Sequence, residues 1–503
     1  MAETNDCAAQ QAHEDASSVV AVITSPRALM RETLAGVLTA LALIPEVISF
    51  SFVSGVTPIA ALFSSVVLAL AMSLLGGRPA MVTAAAGSVA LVVGPMAKTY
   101  GVAYILPTVL LAGVIQIAFG AVGLARLTRF IPRSVMIGFV NSLGILIFLA
   151  QVPHVIGAPP AVYPLFALTL AIVLLAPRAT TFIPAPLIAI VVVTAIAHFG
   201  GFAAPSVGGA AGALEPQMPG FTPFVAPLTL ETLKIVWPTA LSVALVGLLE
   251  TLMTAKLVDE ITQTRSSKRR ESCALGVANF LAGVYGGVAG CAMIAQTIVN
   301  VKIGGGRSRI STAAAALTLL ALVTVLNGLM SQIPLAALAA VMMIAAIKTF
   351  VWRSVAPATL ERMPLSETCV LATTMAVTVA TGNLAFGVGG GVLLAMALFA
   401  RRVAHVIRVD RTLSDDGADV RYEVHGPLFF GSSNDLVDRF SYSLDPNRIT
   451  VDFTHSQIWD ASSVAALDAI EAKYRSDGRS VAFTGLDARS LAFHGRLTGQ
   501  LQG

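Results

Sequence analysis

Two carboxylates occupy positions where an ionised side chain is costly. Glu46, in "LALIPEVISF", stands near the centre of an apolar run from Leu34 to Phe52, and Glu250 stands inside "VGLLETLMTAK". A charge at the middle of a bilayer costs at least roughly 2.5–3.5 kcal/mol on insertion scales. A carboxyl group that takes up and releases a proton at that depth is a switch. Protonated, it donates a hydrogen bond to an anion; ionised, it repels the anion or holds a cation. Anion chemistry is also written into "RPAMVTAAAGSVALVVGP" (78–95) and "GGVAGCAMIAQTIVNVKIGGG" (286–306). Each begins with small and β-branched residues suited to extended chain, then turns helical. Half-helices that start near the membrane centre aim unpaired N–H groups and the positive end of the helix dipole at one spot. Extended backbone is tolerable there only around a protein-lined cavity. Plainer alternatives stay open: acids kept neutral and hydrogen-bonded between helices, and two short spans rich in small packing residues.

The elements that would position these groups follow from composition. The chain has 503 residues, 56% hydrophobic and 12% charged, against about 25% charged in soluble domains. This excess points to a polytopic membrane protein. With about 20 apolar residues needed per helical span, the runs fall at 28–52, 57–75, a short 87–97, 103–124, 133–151, 162–176 and 182–200. A Pro/Gly-rich break at about 201–230 follows. The runs resume at 234–256, 271–286, a short 292–302, 311–331, 334–349, 365–380 and 384–400. The two short spans are third and tenth; the two acids lie in the first and eighth. A repeat of seven spans enters the membrane inverted on its second copy, as in many secondary transporters. The expected fold is therefore an α-helical polytopic membrane protein with 14 transmembrane segments in a 7+7 inverted repeat.

Lys and Arg collect on the cytoplasmic side. With the N-terminus inside, the inner connections hold Arg78; Arg126, Arg129 and Arg133; Arg178; Arg265, Lys268, Arg269 and Arg270; Lys302, Arg307 and Arg309; Lys348, Arg353 and Arg362; Arg401 and Arg402. The outer connections hold almost none, Lys98 excepted. Both termini are expected in the cytoplasm, with residues 1–26 an uncleaved polar segment, and membrane lipids are expected partners of the basic connections. Cys7, Cys273, Cys291 and Cys369 show no disulfide or zinc spacing and read as small apolar fillers.

After Arg402 the character changes. "RYEVHGPLFF", "RITVDFTHSQIWD" and "RSVAFTGL" read as strands, while "SSNDLVDRFSYSL" and "ASSVAALDAIEAKYR" read as amphipathic helices. This alternation predicts a small cytoplasmic α/β domain. The expected division is a cytoplasmic segment 1–26, a transporter domain 27–402 with repeats at about 27–200 and 234–402, and a tail domain 403–503.

These residues resemble the sulfate permease family, also called solute carrier family 26. The resemblance rests on "LALIPEVISFSFVSGVTPIAALFSS", on "VGLLETLMTAKLVDEITQTRSSKRRESCALGVANFLAGVYGG" with "VNVKIGGGRSRIS", and on "VDFTHSQIWDASSVAALDAI", which is similar to a STAS domain. It implies core and gate subdomains: spans one to four and eight to eleven move against spans five to seven and twelve to fourteen. It also implies a substrate pocket lined by Glu46, Phe50, Gly87, Ser88, Glu250, Thr254, Ala295 and Gln296, and often a homodimer. Two departures matter. Many relatives carry Gln where this chain has Glu46, and many carry Ser-Arg where it has Ala295-Gln296. The missing arginine and the added acid argue for co-transport with H⁺ through Glu46 and Glu250, and for a mono- or dicarboxylate such as fumarate, or bicarbonate, over sulfate. In the tail, Ser462 aligns with the phosphorylated serine of anti-sigma antagonists; the alternative is that these residues cap a helix.

The sequence shows no metal cluster, nucleophile triad, cofactor or nucleotide site; "KIGGGRSR" lacks the GKS/GKT ending of a phosphate loop. An enzyme and a nucleic-acid partner are not expected. The expected function is a secondary anion transporter of a bacterial inner membrane, proton-coupled, taking a small anionic substrate. The rivals are a Na⁺-coupled bicarbonate or sulfate transporter of the same family, and a non-transporting membrane anchor or sensor that signals through the STAS domain.

Overall fold

The structure, a computed structural model, describes residues 19–123, 131–179, 183–202, 204–211, 226–227, 229–325, 327–404 and 407–500. Expectations for residues 1–18 with Cys7, for Arg126 and Arg129, and for most of the 201–230 break lie outside the described residues.

A helix stands at each expected span. The first half holds α1 (Pro26–Ser54), α2 (Pro58–Leu75), α3 (Gly87–Tyr100), α4 (Ile105–Val122), α5 (Arg133–Gln151), α6 (Val162–Ala179) and α7 (Ala185–Phe199). The second holds α8 (Leu230–Thr262), α9 (Lys268–Val284), α10 (Ile294–Ile298), α11 (Arg309–Val325), α12 (Leu335–Thr349), α13 (Leu365–Thr381) and α14 (Leu384–Ala404). Short helical turns at Val19–Thr24, Val207–Ala211, Asn327–Met330 and Pro357–Leu360 flank them. Among the described residues, six helices are long and apolar enough to cross a membrane: α1, α2, Val102–Val122, Arg133–His154, α8 and Leu384–Val403. α8 outruns its expected 234–256 at both ends, because hydropathy marks where lipid stops and not where a helix stops. The Thr229 hydroxyl accepts from the Thr232 N–H at 3.2 Å and caps its start.

The helices sort into two packing groups. α11 packs on α1 and α2, α9 on α2 and α4, and α8 on α3 and α4. α5 packs on α12 and α13, and α6 on α7 and α12. Glycines let backbones meet, as membrane helix pairs require: a Cβ on Gly113 of α4 would lie 2.7 Å from the Gly276 carbonyl oxygen of α9. In the second group, Asn141 Nδ2 donates to Ser354 Oγ at 2.8 Å, and Asn141 Oδ1 accepts from the Val351 N–H at 2.8 Å.

The expected extended starts of the two short spans are present as strands. β1 (Thr83–Ala85) leads into α3, and β2 (Gly290–Ala292) leads into α10; they pair antiparallel, with Ala84 opposite Cys291. The second broken helix is the more irregular, since five α-helical residues give way to a π-helical turn at Val299–Ile303.

The chain divides into two compact units after Val392, within α14. The second unit carries a four-stranded sheet in the order β3 (Arg408–Leu413), β4 (Asp419–Leu428), β5 (Arg448–Ile458), β6 (Ser480–Thr484). β3 is antiparallel to β4, and β4, β5 and β6 are mutually parallel. Its helices are α15 (Ser433–Val437), α16 (Ala461–Ser476) and α17 (Ala488–Leu497). Alternate residues Val420, Tyr422, Val424, Ile449, Val451 and Phe453 pack beneath Val464, Leu467, Ile470 and Tyr474 of α16. Two elements escape the sequence reading. β3, "RVDRTL", is a largely polar edge strand with no apolar face to read, and α17 is short, with Ser490 its buried residue.

Candidate functional site

The site residues gather where the two strands cross. Buried N–H groups left without a partner cost about 1–3 kcal/mol each, and extended chain has no helix ladder to supply one. Neighbouring helices lend oxygens instead. Ser65 Oγ of α2 accepts from the Ala85 N–H at 3.1 Å, and Thr297 Oγ1 accepts from the Val82 N–H at 3.1 Å. On the other strand, Thr251 Oγ1 of α8 accepts from the Ala292 N–H at 3.0 Å, and Asn279 Oδ1 of α9 accepts from the Gly290 N–H at 2.8 Å. Ser64 Oγ accepts from the Val288 N–H at 2.9 Å just before β2. Gly290 permits the crossing itself, because a Cβ there would lie 2.1 Å from the Ala84 carbonyl oxygen.

Around this crossing the two acids are exchanged between halves. Glu250, on α8 of the second half, accepts at Oε2 from Ser88 Oγ, at the start of α3 in the first half. Glu46, on α1 of the first half, lies against the Gln296 side chain of α10 in the second. Each acid therefore faces the broken helix of the opposite half. Neither is ion-paired: among the described residues, the ion pairs of the membrane unit are Arg31–Glu32, Arg78–Asp259 and Lys268–Asp259. Pro45, just before Glu46, cannot donate to the Leu41 carbonyl, which opens the α1 ladder at this level.

The other expected residues take distinct places. The Phe50 ring, one turn after Glu46, lies against Gly87 so closely that a Cβ there would sit 2.5 Å from Phe50 Cε1. Gln296 is buried and its Oε1 has no partner. Ala295 beside it is exposed, so this end of α10 borders open space. Thr254 is buried, and its hydroxyl donates within the protein, to the Glu250 carbonyl at 2.8 Å and the Ala292 carbonyl at 3.4 Å. It braces α8 against β2. Helices α3 and α10 both start without a side-chain cap, at Ala86 and Met293.

The chain matches the sulfate permease family over residues 29–167 and 161–374. It belongs to that family. A STAS domain matches residues 412–492. "Putative sulfate transporter YbaR" of Bacillus subtilis (strain 168) is 42% identical over 462 residues, covering 92% of this chain and 95% of its own length. "Bicarbonate transporter BicA" of Picosynechococcus sp. is 24% identical over 494 residues, covering 87% of this chain and 85% of its own. Murine Solute Carrier 26 family member A9 in the inward-facing state matches with a TM-score of 0.81 at 18% identity, over 93% of this chain and 87% of that one, which is a likeness of fold. The chain is an anion transporter of the sulfate permease family, with a STAS domain as its tail.

Several residues of this permease that build the site carried no chemical motif. Cys291, read as filler, is corrected: its buried thiol donates to Glu250 Oε2 at 3.1 Å. Asn279 also donates to Gln116 Oε1 at 2.8 Å and to the Gly290 carbonyl at 3.1 Å. The available signal was polar amides and hydroxyls inside apolar helices, which in membranes mark interhelical hydrogen bonds.

A second network lies among the basic connections. Glu271 accepts from the N–H groups of Gly77 and Arg78 at 2.5 and 2.8 Å, and Glu32 accepts from those of Arg307 and Ser308 at 2.8 and 3.1 Å. Arg309 donates to the Ser73 and Gly76 carbonyls, and Arg270 to that of Leu75, so both cap the C-terminus of α2. Lys268, Arg270, Arg307 and Arg309 thus bond within the protein, a use that the charge pattern did not disclose. In the tail, Ser462 is exposed as the second residue of α16, whose start is capped by Asp460 accepting from the Ser463 N–H at 3.0 Å.

Proposed function

We propose that this permease is a proton-coupled symporter of a small carboxylate, a dicarboxylate such as fumarate, working by alternating access. The observation that carries the reading is the crosswise pairing of Glu46 with Gln296 and Glu250 with Ser88, with no ion pair to either acid among the described residues. Two ionised acids would repel an anion approaching the starts of α3 and α10. Protons taken up with the substrate remove that repulsion and leave O–H donors in its place. Gln296, where many relatives carry arginine, supplies an amide and no fixed charge. The core group then carries substrate and protons together past the gate group, and return of the empty carrier requires their release. We further take residues 27–402 as the translocating domain and 403–503 as a cytoplasmic regulatory domain with Ser462 as its phosphorylation candidate. The carrier would sit as a homodimer in a bacterial inner membrane, both termini inside.

A second reading is Na⁺-coupled uptake of bicarbonate or sulfate; the names of the relatives BicA and YbaR favour those two anions. One experiment separates them. Purified protein in proteoliposomes is offered labelled fumarate, bicarbonate and sulfate, each with and without imposed pH and Na⁺ gradients. The proton reading expects fumarate accumulation that follows an inward proton gradient. Uptake indifferent to that gradient, or full activity of Glu46→Ala, sinks it.

A further inference from the structure

Cys291 sits at the middle of β2, opposite Ala84 of β1, and is fully buried. Its thiol lies 3.1 Å from Glu250 Oε2 and 3.5 Å from Ser88 Oγ. Ser88 Oγ donates to the same carboxylate oxygen. Two donors, one from each half of the crossing, thus converge on Oε2. Among the described residues, Oε1 of Glu250 receives no hydrogen bond.

This asymmetry has a physical consequence. The last torsion of a glutamate is broad and roughly two-fold, so an unheld carboxylate presents either oxygen. Pinning one oxygen with an O–H and an S–H fixes where the other points. A thiol is a weak donor, but a bond to an ionised acceptor is stronger than one between neutral groups, and here it is shielded from water. The strand is itself held to α8 and α9, the Ala292 N–H by Thr251 and the Gly290 N–H by Asn279. We propose that Cys291 is a positioning residue for Glu250: with Ser88 it locks Oε2 to the crossing, so that Oε1 alone is presented to substrate and proton. The proposal rests on the reading of Glu250 as a ligand-facing acid.

The test is a double-mutant cycle on the full chain in proteoliposomes. Initial uptake of labelled fumarate, bicarbonate and sulfate is measured for wild type, Cys291→Ala, Cys291→Ser, Glu250→Gln and Cys291→Ala/Glu250→Gln. Where Glu250→Gln transports too slowly, the cycle is read as the shift in melting temperature of purified protein titrated with the same three anions. Cys291→Ala is expected to raise the apparent KM about three- to tenfold, the scale of one ordinary lost hydrogen bond, the thiol being a weak donor, with Vmax changed less than about twofold. Cys291→Ser, which keeps a donor, restores most of the affinity. In the Glu250→Gln background Cys291→Ala adds little. Equal damage from Ser and Ala, or an undiminished Cys291→Ala penalty beside Glu250→Gln, overturns the proposal. If Cys291→Ala does not accumulate, Ser88→Ala replaces it, since that donor falls on the same oxygen; additivity with Glu250→Gln then overturns it. Gradient-independent uptake with an intact non-additive cycle would sink the coupling mechanism and leave the positioning role standing.

Discussion

The Ser88 hydroxyl, at the start of α3, donates to the carboxylate of Glu250 on α8, tying the broken helix of one half to the acid of the other. Any movement that separates the two must break a bond to a buried acid. Glu250→Gln keeps the shape of the side chain and removes its ability to ionise. We expect at least about a tenfold fall in gradient-driven accumulation, the scale of about 1.4 kcal/mol, with protein yield and melting temperature little changed. Accumulation at the wild-type level would remove Glu250 from the coupling step.

Gly87 and Phe50 form a size-matched pair. A methyl group on Gly87 would sit 2.5 Å from Phe50 Cε1, and overpacking of this kind costs typically 1–3 kcal/mol. Gly87→Ala should lower the melting temperature in detergent and abolish most uptake. Phe50→Leu, which removes the obstructing ring edge, should recover part of both in the double variant. A double variant no better than Gly87→Ala would show that the ring is not the obstacle.

Asn279 serves the strand without facing substrate. Its loss strands the Gly290 N–H and carbonyl and the Gln116 oxygen. Asn279→Leu is therefore expected to destabilise the membrane unit by about 1–3 kcal/mol per stranded buried group, read as an earlier thermal transition. The KM of whatever protein survives should stay near wild type, because Asn279 bonds to Gln116 and the Gly290 backbone and to neither acid. A raised KM with unchanged melting would reverse that assignment.

In the tail, Asp452 is held down to about 2 by the Thr454 hydroxyl foremost, then the Thr454 N–H and Arg421. Its folded value lies below the unfolded value of about 3.9. Its contribution to stability is thus complete above the unfolded value and disappears as pH falls through about 2. Amide exchange of β5 peptides in the full chain, corrected for the intrinsic pH dependence, should show wild-type protection falling between pH 4 and pH 2. Asp452→Asn should be less protected at pH 5 and should change less over that window. Parallel curves would show that another carboxylate governs the tail's acid response.

The sequence by itself determined a good deal. Apolar run length located α1 to α14, because a bilayer demands about 20 apolar residues per crossing and tolerates few exceptions. The two runs that were too short, and the two acids within long ones, stood out against that uniform background, and so Glu46 and Glu250 could be named; Ser88 and Gln296 came from the resemblance to the sulfate permease family. Small and β-branched residues at the starts of 78–95 and 286–306 likewise pointed to extended chain.

Only the tertiary structure decided who faces whom. That Glu46 lies against Gln296 and Glu250 against Ser88 depends on an antiparallel crossing whose register no local pattern encodes, since β1 and β2 each span three residues of small side chains. Cys291 and Asn279 were invisible for the same reason: a thiol or an amide in an apolar segment gains its role from a partner distant in the chain. So did Thr254, whose hydroxyl the fold turns to the backbone. Hydropathy is a property of single segments and survives in one dimension, whereas a hydrogen bond between segments exists only once packing has brought its two ends together.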